Sequence, residues 1–211
     1  MPSPTEVANF QAIIQGLASA AIAQVFGLLG NTDDRNFIED AYPQIVDPFI
    51  FAASTVTAEW YSGLAPGLSF PVEVAPAMPQ KVLAANVRWS FTQADVRQAL
   101  SGSAERQVFT ASRDTVLFNA SRERVLFARY ASANACPWCR VLATRGAEYS
   151  TAENAVKGHD GCHCIAVPVR QGDTYTPPDY VAKWTDDYNA ARGEVGGNLN
   201  DIVNQMRKAS P

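Results

Sequence analysis

Four cysteines and two histidines are the residues of this chain most suited to chemistry. All six fall within 29 of its 211 residues. They read Cys136-Pro137-Trp138-Cys139, a gap of nineteen residues, then His159-Asp160-Gly161-Cys162-His163-Cys164. A Cys-x-x-Cys pair at a turn directs two thiolates to one point, and a second knuckle brings imidazole and thiolate donors from a separate segment. That donor set suits Zn²⁺ in a closed tetrahedron. Cys136 and Cys139 are the firmest ligands, and His159 is a good third. Cys162 and Cys164 are two apart, so an extended segment puts both on one face and either serves as the fourth ligand. His163 then points the other way. A four-cysteine site without histidine also fits the spacing.

Other chemistries compete for this window. The thiols could be reduced and buried without metal, or paired as disulfides. Disulfides belong to an oxidising compartment, and the opening Met1-Pro2-Ser3-Pro4, followed by Glu6, lacks the basic start of a secretory signal. Cys-Pro-Trp-Cys also resembles a thioredoxin-type redox pair with Arg140 lowering a thiol pKa, but that reading needs a βαβ unit leading into the motif. A zinc ion with four protein ligands has no water left to activate, so the expected role is structural. Glu148, Glu153 and Asp160 lie nearby, yet nothing singles one out as a base for a metal-assisted hydrolase. Both histidines sit in the metal window, so a Ser-His-Asp or Cys-His hydrolase would have to withdraw one from the cluster. Gly158–Gly161 is too short for a phosphate loop and lacks its lysine.

The elements that must position these residues are mostly helical. Hydrophobic residues make up 47% and charged residues 18%, enough apolar material for a packed core. The net charge of -4 and pI near 5.2 exclude a globally basic nucleic-acid binder. Charge is segregated: residues 1–80 carry -7, residues 81–145 carry +6 and residues 146–211 carry -3. The favoured reading is that the two opposite halves neutralise each other. The sharper one turns Arg106, Arg113, Arg122, Arg124, Arg129 and Arg140 toward nucleic acid or an acidic partner.

Residues 4–29 read as a helix, uncharged from Val7 to Thr32, with apolar residues on one face. It suits packing or docking better than a membrane span. Asp33-Asp34 cap a second helix that Pro43 and Pro48 should break or kink before it resumes through Ala52–Tyr61. Prolines and glycines over 63–80 make an extended connector. Gln80–Leu100 and Ala104–Ala120 read as helices separated by Ser101-Gly102-Ser103. Val125–Tyr130 is a strand or a last helical turn, Arg140–Arg145 a short helix closed by Gly146, and Ile165–Val169 a β segment. Asp179–Arg192 and Leu199–Arg207 are tail helices, an arm or a packing element. The expected organisation is α+β and mostly helical: a helical docking part over 1–80, Arg-rich helices over 81–120, a small zinc-stabilised α+β module over 121–170 and a helical tail over 171–211.

The order Cys-x-x-Cys, short helix ending in Gly146, variable loop, then His-x-x-Cys-x-Cys and Val167-Pro168 resembles the phage Mu protein F-like minor head (MuF-like minor capsid protein) family, in its actinobacterial tailed-phage version. The likeness is best over about 104–169. It takes in Arg106, Ser112-Arg113-Asp114-Thr115, Tyr149 and the cluster, and more loosely Tyr42-Pro43, Pro48 and Trp60-Tyr61. Where that family often has Arg between the last two cysteines, this chain has His163. The resemblance implies a non-enzymatic virion component of phage head morphogenesis. It would be portal-associated and placed in the head interior, or in the host cytoplasm during assembly. Its expected partners are portal, scaffold or major capsid proteins and packaged DNA, with no membrane role. Relatives labelled capsid maturation proteases make an enzyme the rival reading. Only about 42 residues follow Val169, too few for a further effector domain.

Overall fold

The computed structural model describes residues 1–149 and 161–209. Helix accounts for 66% of the described residues, and the fold is a mostly helical α+β arrangement with seven helices among them and a two-stranded sheet. Helix α1 spans Pro4–Asn31 and starts in a capping box, Ser3 with Glu6, that satisfies two terminal donors at once. Helix α2 spans Arg35–Gly63, with Asp34 accepting from the backbone N–H groups of Asn36 and Phe37. Helices α3 (Gln80–Ser90) and α4 (Val96–Glu123) follow the proline-rich connector.

Two expectations change here. Pro43 and Pro48 sit inside one continuous α2. A proline removes a helical N–H and crowds the preceding turn. Against that cost, Ile38, Tyr42, Val46, Ile50, Ala53, Thr57 and Tyr61 recur at helical spacing and are all buried against α1, α3 and α4. Each large apolar side chain contributes about 1.5–3 kcal/mol on burial, so the stripe outweighs two prolines. The break expected at Ser101-Gly102-Ser103 lies instead at Phe91–Asp95, where Asp95 caps α4 through Gln98 N. Ser101 and Ser103 are buried within α4, and Ser101 Oγ donates to the Arg97 carbonyl.

Helix α1 passes the length and composition test for a membrane span. Its stripe Val7, Phe10, Ile14, Ala18, Ala21, Val25 and Leu28 is nevertheless buried against α2 and α4. The face expected to dock on a partner is therefore used inside the chain, leaving Ile13 and Phe26 exposed.

Strand β1 (Leu126–Tyr130) runs antiparallel to β2 (Ile165–Val169), with Arg129 opposite Ala166 and Phe127 opposite Pro168. Phe127 exchanges its backbone bonds with Tyr149 on the far side, so Phe127 and Pro168 form a non-hydrogen-bonded pair. The missing N–H of Pro168 costs no ladder bond there. The short helix α5 (Pro137–Ala143) begins inside the Cys-x-x-Cys motif, earlier than the expected Arg140, and Gly146 turns the chain at φ 64°. Helices α6 (Tyr180–Val195) and α7 (Leu199–Ala209) pack back onto α5, so the tail is a packing element. The largest core joins α1–α4 with Tyr130, Ile165 and Val167, which ties the sheet to the helices.

Candidate metal centre

Cys136 is the N-cap of α5, and its sulfur accepts from Cys139 N at 3.4 Å, with Pro137 supplying the preset φ of the first turn. Cys139 lies one turn on, and Cys162 and Cys164 come from the segment entering β2. Cys139, Cys162 and Cys164 are buried and Cys136 is half-buried. Cys139 Sγ lies 2.8 Å from Cys162 Sγ and 3.1 Å from Cys164 Sγ, and the last two are 3.8 Å apart. The sulfurs of Cys136, Cys139 and Cys162 all fall within 4.8 Å of one another. None is in a disulfide, whose bond is about 2.05 Å. A shared tetrahedral zinc with bonds of about 2.3 Å would hold its sulfurs roughly 3.8 Å apart. Cys136, Cys139 and Cys162, with Cys164, could therefore bind a metal ion, and thiolate donors favour a borderline-soft one.

The surroundings are dry. Val181 and Trp184 of α6 pack on the cysteines with Ala131 and Ala143, and the Tyr180 hydroxyl donates to the Ala131 carbonyl. The hydrogen-bonded sulfurs of Cys136, Cys162 and Cys164, together with burial, push the Cys139 thiol far above its ordinary value. Four ionised thiols so close repel one another unless a cation sits among them.

The expected ligands sort as follows. Cys136, Cys139, Cys162 and Cys164 converge. His159 lies outside the described residues, as do Glu153 and Asp160. His163 turns away to Glu105, with Nε2 and Oε1 2.8 Å apart, and packs beside Phe109. The pairing raises the His163 pKa and lowers that of Glu105, the mutual hydrogen bond being the larger cause for each. Gln11 of α1 donates to the His163 carbonyl, fastening the knuckle to the helices.

The arginine set divides. Arg122 and Arg124 are exposed, and Arg106 and Arg140 are half-buried. Arg113 and Arg129 have 0% exposure, which corrects the expectation that these two face nucleic acid or an acidic partner. Arg129 Nη2 donates to Cys164 Sγ at 2.7 Å, and Arg113 Nη1 donates to the Cys164 carbonyl at 2.9 Å. Burial lowers the Arg113 pKa; at Arg129 burial acts the same way, but the Cys164, Cys139 and Cys162 charges and the Cys164 bond raise it overall. The signal for both was in the sequence. Arg113 falls four residues after Phe109 on the apolar stripe of α4, and Arg129 shares the strand face of Phe127. Elsewhere Arg88 pairs with Glu39 and Arg122 with Glu73 at 3.0 Å, so part of the basic middle is neutralised by the acidic N-terminal part of the same chain.

A mostly helical protein carrying a cluster of four cysteines, three of them buried, is the class that this fold and site define. The family model described as VG15 protein matches residues 1–191, and the chain belongs to that family, a phage protein family. It is thereby phage-encoded and virion-related. No curated protein and no solved structure matches it significantly.

Proposed function

We propose that the chain is a MuF-like minor head protein whose cysteine cluster is a structural zinc module. The observation that carries this reading is membership of a phage family over residues 1–191, joined to the Cys-x-x-Cys and Cys-x-Cys knuckles that converge in the fold. The zinc ligands come from Cys136, Cys139, Cys162, Cys164 and His159. The ion staples α5 to the approach of β2, where apolar area is small, and supplies folding free energy rather than a reaction. The protein acts in head assembly beside portal, scaffold or major capsid protein, in the head interior, and exposed Arg124 is its contact to DNA phosphates or an acidic neighbour. The test is quantitative mass spectrometry of purified virions and DNA-free procapsids, with crosslinking to portal and capsid proteins. A fixed copy number in both particles and crosslinks to a head protein are expected. Absence from both particles overturns the head role.

A further inference from the structure

Arg113 and Arg129 approach the sulfur cluster from α4 and β1, and neither pairs with a carboxylate among the described residues. Arginine stays protonated in proteins, and a guanidinium with no exposure is costly unless negative charge lies beside it. Both side chains converge on one residue, Cys164: Arg129 on its sulfur at 2.7 Å, Arg113 on its carbonyl at 2.9 Å. Arg113 Nε and Arg129 Nε and Nη1 find no acceptor among the described residues. Directed bonds therefore account for only part of what holds these groups inside, and a diffuse negative charge must account for the rest.

We propose that Arg113 and Arg129 are the built-in counter-charges of a four-thiolate zinc centre in which Cys164 is the fourth ligand. The inference deepens the zinc-module reading and rests on it. Zinc with four thiolates is a dianion, and two guanidinium groups make the buried unit neutral. Zinc with three thiolates and an imidazole is a monoanion and leaves one buried positive charge uncompensated. Cys164 Sγ lies 3.1 Å from Cys139 Sγ and 3.8 Å from Cys162 Sγ, both inside the span of about 4.6 Å that two zinc–sulfur bonds can cover. The sulfurs that already lie within 4.8 Å of one another are those of Cys136, Cys139 and Cys162, so Cys164 must close on Cys136 to share the ion. The Arg129 N–H to sulfur bond fixes the rotamer of the ligand, which makes Arg129 a positioning residue outside the coordination sphere.

Zinc K-edge X-ray absorption on the full chain counts the sulfurs, and competitive zinc titration measures affinity. Four sulfurs are expected in the wild type and in His159→Ala. Arg113→Met and Arg129→Met should each bind zinc about 10–100-fold more weakly, the usual effect of removing an outer-shell partner. Arg129→Lys should recover part of that loss, and Arg122→Met should change nothing. Cys164→His added to Arg129→Met removes one negative charge for the positive one lost, and should restore affinity relative to Arg129→Met alone. Zinc held by three sulfurs and one nitrogen, or unchanged affinity in Arg129→Met, overturns this inference and leaves the zinc module standing. Wild-type chain without stoichiometric zinc overturns the module and this inference together. Should the arginine variants not fold, the sulfur count in the wild type still decides.

Discussion

Helices α1 and α2 bury mostly apolar stripes along their lengths, whereas the β1–α5–β2 region and the face of α4 against it bury sulfur and guanidinium. In the first region the interior is Phe10, Ile14, Ile38, Tyr42, Leu83, Leu100 and their neighbours. In the second, small patches around Val141, Leu142 and the cysteines are separated by charged groups with no exposure. The difference is one of supply. Helices of 28 or 29 residues place a buried side chain on nearly every turn, while strands of five residues and a helix of seven offer too little apolar area to offset chain entropy. The proposed metal centre would make up that deficit with a few strong bonds, so the two regions should fail in different ways.

The largest effect should come from attacking the sulfur cluster. Cys139→Ser, or a chelator on the wild type, should cost roughly 4 kcal/mol or more, which is about 8–16 °C in Tm for a chain of this size. Trp184, packed on the cysteines, should report the change by fluorescence, while far-UV circular dichroism keeps most of the signal of α1–α4. Acid should act in the same direction, because protons compete with the metal for thiolate, so bound zinc should fall as pH drops. Full retention of Tm on chelation would erase the proposed contrast between the regions.

Ile14→Ala is the matching test on the other side. Ile14 has no exposure and sits mid-stripe on α1. Truncation should cost about 2–5 kcal/mol through lost transfer energy and an unfilled cavity. Zinc stoichiometry, measured after gel filtration, should remain that of the wild type. A loss of zinc in this variant would mean that the two regions fold as one indivisible unit.

Between the regions lies a tie of intermediate value. Arg170, just after β2, makes two bonds to Glu123 at the end of α4, at 2.5 and 3.0 Å, and the Tyr61 hydroxyl of α2 donates to the same carboxylate. Burial, and next the bond to Glu123, raise the Tyr61 pKa. Glu123→Gln should cost about 1–3 kcal/mol, because it weakens a largely buried charge pair and leaves Arg170 short of its partner. Urea denaturation of the variant measures this, and a change below a few tenths would show that the tie adds nothing to cohesion.

The same contrast explains what was legible in the sequence. The first helix, the cap at Asp34, the strand at Ile165–Val169 and the convergence of the two cysteine knuckles could be read directly, since each rests on local spacing. Continuous helix through Pro43 and Pro48 could not, because the stripe that sustains it gains its value only against α1, α3 and α4. The displaced break at Phe91–Asp95 has a similar origin: Ser101 and Ser103 look like loop residues until a neighbouring helix buries them. Spacing puts Arg113 and Arg129 on buried faces, but it does not name what compensates their charge, because Cys164, which receives them, lies 51 and 35 residues further on. Local pattern carries apolar burial well and carries charge burial poorly, since the sign of the neighbourhood is set by tertiary contacts.

The smallest expected effect falls on the joint itself. Arg124 links α4 to β1 at φ 61°, the one non-glycine residue with positive φ among those described. A side chain in that left-handed conformation pays a steric penalty of about 1–2 kcal/mol, which glycine avoids. Glycine in turn gives the unfolded chain more freedom, worth about 0.5–1 kcal/mol in the opposite direction. The two terms nearly cancel, with the steric one larger, so Arg124→Gly should stabilise the chain by about 0.5 kcal/mol in urea denaturation. Arg124→Ala, which keeps the strain, should give no gain. Both variants lose the same exposed charge, so a DNA-binding defect common to both would belong to the charge, and a stability gain confined to glycine would belong to the backbone. Equal stability of the two variants would mean that the joint is unstrained, and that nothing local separates the helical region from the cysteine-bearing one.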